Sequence, residues 1–485
     1  MSPEGVKITH TASLFINGEW VAPSGGEIAV VSPNTEEVVA RVAQASAADM
    51  DTAVAAARHA FDHGEWPRTD PARRGAMLAE LGKRLEARAG ELEAAWIAQI
   101  GGLPGMAKGV VASGHRHIAD IAALGESFAW VEEVAGTTVD TAFIVREPVG
   151  VVAAIAPWNS PYMIMATKLA YSLVAGCTLV MKPAPETPLE AYIIAEEAEK
   201  VGFPPGVINL VPADREVADQ LITNPAIDKV SFTGSTAVGK RIAQVCGARI
   251  ARYSLELGGK SAAIIRDDYP TEEAAKLLGN TITMLSGQIC AMLTRAIVPE
   301  TRHDEIAEAI AKVMQGVTIG HSRDEGVQLG PLAMKRQLER VESYIEEGRK
   351  SADLVTGGQR PAHLNKGYFI EPTLFANVDN TSRIAQEEIF GPVLCLIPAK
   401  DDDDAIRIAN ESDYGLHGSV LTKDPKAAFA IARRVRTGTI AQNGMRTQPG
   451  MPFGGFKQSG IGREGGAEGL LPYVETKSIL LDGAP

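Results

Sequence analysis

The stretch KVSFTGSTAVGKR, residues 229–241, runs from a short β-branched segment straight into a glycine turn and then a helical pattern. Gly234, Gly239 and Lys240 fit the G-x-x-x-x-G-K of a triphosphate-binding loop, but the next residue should be Ser or Thr to hold magnesium, and here it is Arg241. The same turn also suits the phosphates of a dinucleotide, because a helix N-terminus offers unpaired N–H groups and the positive end of its dipole. A tight turn that binds nothing fits these residues equally well. The neighbouring segments carry more information.

Upstream, VGVVAAIAP (149–157), TLVMKP (178–183) and VINLV (207–211) read as buried strands, with helical spacing over 164–175, 189–201 and 216–223 between them. With KVSFT this is a series of strands alternating with helices, the pattern of a parallel sheet covered on both faces. Ligands of such sheets bind beyond the carboxyl ends of the strands. A second series follows, with strands near 262–265, 296–298, 394–397 and 419–421 and helices near 271–285, 303–315 and 402–410. The fold class is therefore α/β, two doubly wound parallel-sheet domains with a cleft between them. The boundary falls at LELGGK (255–260), where glycines interrupt the pattern. Earlier in the chain, 47–61 and 73–99 read as Ala-rich helices. The segments 137–147 and 473–481 read as strands outside both series, able to pair as an arm within the chain or between subunits.

Composition narrows the function classes. The chain has 485 residues, 45% apolar and 22% charged, with a formal charge of -13, which speaks against nucleic acid or an anionic membrane as a main partner. The four cysteines are widely spaced and form neither a disulfide framework nor a C-x-x-C pattern, as suits a reducing cytoplasm. No signal-like N-terminus or membrane-length apolar run is present in the sequence. The acidic run Asp401–Asp404 reads as charge at a helix start rather than as a metal site, and no metal is expected.

Four places suggest chemistry. Cys290 follows a Gly-Gln pair that breaks a helical run; a lone cysteine is otherwise a small core residue. Glu256 lies in an apolar strand, where an unpaired carboxylate is costly to bury. Asn159 follows the first strand of the sheet, at its ligand-binding end, although Asn before Ser-Pro is also an ordinary turn residue. Glu388 and Phe390 occupy a turn too apolar for a plain surface loop, where the Phe could equally be filling space.

In chain order the segments LFINGEWV, REPVGVVAAIAPWN, KPAPETP, FTGSTAVG, LELGGKSA, GQICAMLTR, EEIFGPV and PFGGFKQSGIGREGG resemble the aldehyde dehydrogenase superfamily over nearly the whole chain. The resemblance implies an oxidoreductase that converts an aldehyde to a carboxylic acid with NAD, or NADP, through a cysteine-bound thioester that is then hydrolysed. It implies Cys290 as nucleophile, Asn159 and the Cys290 N–H as oxyanion donors, Glu256 as the base for water, and Lys168 as a proton relay. Such a base argues against coenzyme A as acyl acceptor. For the cofactor it implies Gly234 and Ser235 at the pyrophosphate, Lys182 at the adenosine ribose, Glu388 at the nicotinamide ribose, and Ile155, Pro157, Trp158, Leu257 and Phe390 along the groove. Lys240 then becomes a solvated helix residue. The implied domains are 1–135 with 148–256 for the dinucleotide, 257–455 for catalysis, and arm strands 136–147 and 470–485 joining a homodimer or homotetramer.

Three departures from the family pattern limit what it predicts. Pro185 stands where many NAD-preferring relatives have a glutamate, with Glu186 one residue later, and no arginine is near in sequence. VPADREVADQL (211–221) lacks glycines that many relatives carry there. Ser160 and Thr167 occupy positions that are often aromatic, leaving Tyr162, Met163, Ile289, Ala291 and Phe453 to supply apolar substrate surface and Arg446 to meet a polar or acidic end. Two alternatives remain open, an inactive binding or structural protein on the same fold and a P-loop phosphotransferase.

Overall fold

The computed structural model describes residues 3–135 and 137–483. Five parallel strands form the centre of the first sheet: β1 (Val151–Ile155), β2 (Thr178–Lys182), β3 (Ile208–Leu210), β4 (Lys229–Thr233) and β5 (Arg252–Glu256). Their spatial order is β5-β4-β1-β2-β3. β1 is buried at every residue. Val152 and Ala154 join one core cluster and Val151, Ala153 and Ile155 another, so each face of the sheet is packed. That double covering is why the strand reads as a continuous apolar run instead of an alternating one. Antiparallel strands close both edges, Gly460–Ile461 beside β5 and Leu14–Ile16 with Glu19–Val21 beyond β3.

The second sheet has seven strands in the order Asp353–Thr356, Thr373–Ala376, Val393–Ala399, Leu293–Pro299, Ser261–Ile265, His417–Leu421 and Thr439–Gln442, parallel except for the first. Both sheets are thus mixed at their edges rather than purely parallel. A third sheet pairs Val474–Leu481 with Thr141–Pro148, and Thr141–Pro148 with Val131–Val134. Val131–Val134 was not foreseen, and it extends the arm back across the boundary drawn at 135. Residues 1, 2, 136, 484 and 485 of the expected segments lie outside the described residues.

Helices that position the site are α1 (Pro104–Ala122), α2 (Pro161–Ala175), α3 (Thr236–Ala248), α4 (Thr271–Thr283) and α5 (Lys335–Ser351). Two expected helices are corrected. The run 73–99 is two helices, Pro71–Ala87 and Ala89–Ile100, broken at Arg88, whose side chain is drawn to Glu91, Glu196 and Glu197 at 2.9, 2.8 and 3.1 Å. The run 271–285 stops at Thr283, because Leu285, Ser286 and Gly287 all take left-handed φ angles of 47°, 52° and 73°. α5 was not expected at all. No helix among the described residues is long and apolar enough to cross a membrane.

Arg295, in the second sheet, is buried and ties that sheet together: its guanidinium donates to Lys260 O, Ile408 O and Ala409 O at 3.0 Å and to Asn380 Oδ1 at 2.9 Å. Replacing it by leucine strips the donor from all four acceptors. Arg295→Leu is expected to lower the unfolding free energy by about 3 kcal/mol or more, read in urea titrations. A loss below about 1 kcal/mol would show that these bonds do not hold the sheet.

Candidate active site

The chain winds outward from β1 through β2 to β3, then returns to place β4 on the other side of β1. This reversal makes the carboxyl ends of β1 and β4 the topological switch point, where an open α/β sheet binds its ligand. β1 runs on into Pro157, Trp158 and Asn159, and β4 into Gly234 and Ser235. Ser235 is exposed and caps α3, its Oγ accepting from Val238 N at 3.5 Å. Thr233 Oγ1, buried at the same turn, has no partner. Lys240 is exposed and Arg241 pairs with Asp219 at 3.0 Å, so neither faces a phosphate bound at this turn.

Lys182 ends β2 and is buried. Burial pulls its ammonium down to about 8, against the pull of Glu186 and Asp214. The sequence shows no arginine near Glu186, yet the fold brings Arg336 of α5 against it as an ion pair between the two sheet regions. Leu257 packs on α3 at Gly239, and Ile155 is buried below the groove. Trp158 and Phe390 meet edge to face, ring centroids 5.2 Å apart at 90°. Phe390 itself has φ 61°, held by Gln337 of α5, which donates to the Phe390 carbonyl at 2.7 Å.

The second sheet contributes from its opposite, amino-terminal end. Cys290 precedes strand Leu293–Pro299, and Glu388 precedes Val393–Ala399. Gly258 and Gly259 let these parts converge: a Cβ on Gly258 would strike the Glu388 carboxylate, and one on Gly259 would lie 2.5 Å from Cys290 O. Glu388 Oε1 accepts from Gly259 N at 3.0 Å, and burial lifts its carboxyl to about 7.

Cys290 is half-buried, whereas Cys177, Cys246 and Cys395 are buried. Burial pushes its thiol up to about 12, with Glu388 and Glu256 adding to the rise; the backbone N–H groups of Ala291 and Cys290 pull the other way. Asn159 Nδ2 donates to Gln288 O at 3.0 Å, so one amide hydrogen locks Asn159 to the cysteine loop and the second is left for a ligand. The loop is pinned from behind. Ser286 Oγ lies 2.8 Å from Gly330 O and 3.1 Å from Pro331 O, and Gln288 bridges Leu285 O and Ala333 N, both at 2.9 Å.

Glu256 is buried and neither carboxylate oxygen has a partner. Burial first, and then Glu464, hold its carboxyl well above the usual range, against Lys168 and Arg463. Lys168 is fully buried, its Nζ 2.7 Å from Glu464 Oε1 and 3.3 Å from Ser231 Oγ. Glu464 lay inside a quoted motif, but nothing in the sequence shows that it faces Lys168.

The expected substrate residues separate. Ile289 and Phe453 are half-buried, and Phe453 pairs through its backbone with Glu464. Arg446 is exposed, with a long 3.4 Å bond to Asn443 O. Tyr162 is a correction. It is wholly buried, its hydroxyl 2.7 Å from His115 Nδ1, because its position on α2 turns it towards α1. It offers no surface to a substrate. The acidic run starts a helix, with Asp401 as its cap.

A buried, unpaired carboxylate, a thiol and an amide donor around one cleft, beside a phosphate-ready turn, fit a dinucleotide-linked reaction at a carbonyl. Known proteins agree. The model of the aldehyde dehydrogenase family matches residues 20–479. A geranial dehydrogenase of Castellaniella defragrans is 40% identical, with 97% of this chain and 98% of that protein covered. A Mycobacterium tuberculosis aldehyde dehydrogenase solved with NAD+ is 43% identical, covers 98% of this chain and 99% of that one, and superposes with a TM-score of 0.94. Aldehyde dehydrogenase C of Pseudomonas syringae, solved as a C291A variant with NAD+ and octanal, is 38% identical, with 99% of each chain covered and a TM-score of 0.94.

With the thiol raised, little of it is thiolate at neutral pH. Alkylation of Cys290 by iodoacetamide in the free protein is expected to quicken about tenfold per pH unit from 7 to 9, without levelling off below about pH 10. Peptide mapping restricts the rate to this cysteine. A plateau near pH 7 would mean the loop stabilises the thiolate.

Proposed function

The chain belongs to the aldehyde dehydrogenase family, whose members oxidise an aldehyde to a carboxylic acid with NAD(P), and from that premise we propose how its residues divide the reaction. Cys290 Sγ adds to the aldehyde carbon as its proton is lost to solvent. The resulting oxyanion is received by the free Asn159 amide hydrogen and the Cys290 N–H, donors already in place before charge develops. A nicotinamide held beside Trp158 and Phe390 would supply the hydride acceptor, and loss of hydride from the Cys290 adduct would leave a thioester. Water then attacks the thioester carbon, Glu256 accepts its proton, and the acid leaves as the thiol reforms. One aldehyde, one water and one NAD+ give one acid, one NADH and one proton.

The observation that carries this reading is the unpaired, buried Glu256 carboxylate beside Cys290. A structural carboxylate would have its oxygens satisfied; a base awaiting water would not. Its raised affinity for a proton, from burial first and then Glu464, makes it a stronger base than a solvated carboxylate. Lys168 and Glu464 offer the proton a way onward. NAD is the proposed cofactor, with Ser235 and the α3 N-terminus at the pyrophosphate, Lys182 and Glu388 at the two riboses, and Trp158 and Phe390 beside the ring. Apolar Ile289 and Phe453 flank the substrate, and Arg446 stands near its entrance. The three-stranded sheet is proposed to meet a second copy of this chain in a cytoplasmic homodimer or homotetramer, since it leaves Val131 60% and Leu480 63% exposed.

Rapid mixing separates the half-reactions. Glu256→Gln is expected to give a burst of about one NADH per site and then turn over at least about a hundredfold slower than the parent. Asn159→Ala is expected to lose about a hundredfold or more in kcat with no burst. A Glu256→Gln protein with full steady-state turnover would remove Glu256 as the base.

A further inference from the structure

Side chains alternate along β4, so Lys229, Ser231 and Thr233 share one face, while Val230 and Phe232 join an apolar cluster on the other. β5 pairs with β4 in register, Ser254 beside Ser231 and Glu256 beside Thr233. A seam of polar side chains therefore runs inside the sheet's covering and ends at Glu256, with Lys229, Ser231, Ser254 and Glu256 all buried. Two groups reach Ser231 Oγ across this seam: Lys168 Nζ of α2 at 3.3 Å and the Tyr473 hydroxyl at 2.8 Å.

Tyr473 is itself buried and held on every side. Its ring stacks on Tyr171 of α2, centroids 5.7 Å apart and planes 20° from parallel. Lys229 Nζ lies 4.6 Å from the ring centroid and donates to Ser254 Oγ at 2.6 Å, and Tyr473 O accepts from Val149 N at 3.0 Å. Tyr171 in turn accepts from Gly465 N and donates to Gly466 O, both at 2.9 Å. The stacked tyrosines thus hold both members of the Lys168–Glu464 pair, the ammonium through Ser231 and the carboxylate through the backbone that follows it.

We propose that Tyr473 is a positioning residue for the hydrolytic half of the reaction, fixing Lys168 against Glu464 through Ser231. A serine oxygen has two lone pairs; with Tyr473 on one, the hydroxyl cannot turn, and the other stays on Lys168. The inference rests on the roles proposed above for Glu256, Lys168 and Glu464. The proton that Glu256 takes from water passes to the Lys168 nitrogen as that nitrogen gives one of its own to Glu464. Glu464, with its side chain 14% exposed, releases it to solvent, and Glu256 is left ionised for the next turn.

Tyr473→Phe keeps the stacking and the contact with Lys229 and removes only the hydroxyl. With NAD saturating and the best straight-chain aldehyde from propanal to decanal, it is expected to lose at least about tenfold in kcat, the worth of one hydrogen bond to a charged relay. The first NADH at each site should form at the parental rate, and kcat/KM should hold, because both are set before the thioester is hydrolysed. Ser231→Ala breaks the same link from the other side and should show the same split. The double variant should lose no more than Ser231→Ala alone.

An unchanged kcat in folded Tyr473→Phe overturns the proposal, as does a parallel loss of first turnover and kcat/KM, the mark of a merely structural role. Losses that multiply in the double variant overturn it too, since Tyr473 would then act apart from Ser231. Should a thermal melt find Tyr473→Phe unfolded, Ser231→Ala carries the test, and its failure to show the split is decisive. A parent that reduces NAD with none of these aldehydes removes the oxidation and this inference with it; a parent that turns over beside an unaffected Tyr473→Phe removes the inference only.

Discussion

The register of the first sheet governs everything at the cleft. Ile155 pairs with Lys182, Phe232 with Ile155, and Thr233 with Glu256, so β1, β2, β4 and β5 end level with one another. A slip of one residue in β5 would turn Glu256 to the opposite face, since side chains alternate along a strand. Glu256 therefore stays in its buried place because the backbone pairing of five strands will not let it leave. The burial of Val230, Phe232 and Leu255 on one face of that sheet fixes this pairing more strongly than any polar contact.

The second sheet meets the first with reversed polarity, giving its strand beginnings where the first gives strand ends. Its contribution needs more support for that reason, because loops entering strands have no helix N-terminus behind them. The segment from Gly330 into α5 provides it. It holds the cysteine loop through Gly330, Pro331 and Ala333, the Phe390 turn through Gln337, and the 186 loop through Arg336. One stretch of chain thus fixes the cysteine loop, the Phe390 turn and the 186 loop relative to each other.

How far the sequence could be read follows from where the determinants lie. Buried strands such as VVAAI and the helix 189–201 declare themselves through local apolar pattern, and the structure has them at those places. Cys290, Asn159 and Glu256 stood out because each is chemically out of keeping with its neighbours. Tyr162 was misplaced because helical spacing tells which residues share a face but not what that face meets. α5 went unread: its sequence, KRQLERVESYIEEGRKS, is dominated by charge, and its few apolar residues find their partners across the fold. Glu464 and Arg336 belong to the same category, since nothing local marks a residue whose importance is a neighbour some hundred or more positions away.

Leu285 and Ser286 hold left-handed backbone angles that L-residues avoid, at roughly 1–3 kcal/mol each. Packing of Leu285 in its cluster and the grip on Ser286 oppose that tension. The thiol's aim is therefore borrowed from its surroundings, and the loop is the part of the molecule with most to gain by letting go. Warming should release it first, so that the protein goes silent as a catalyst while its sheets are still whole.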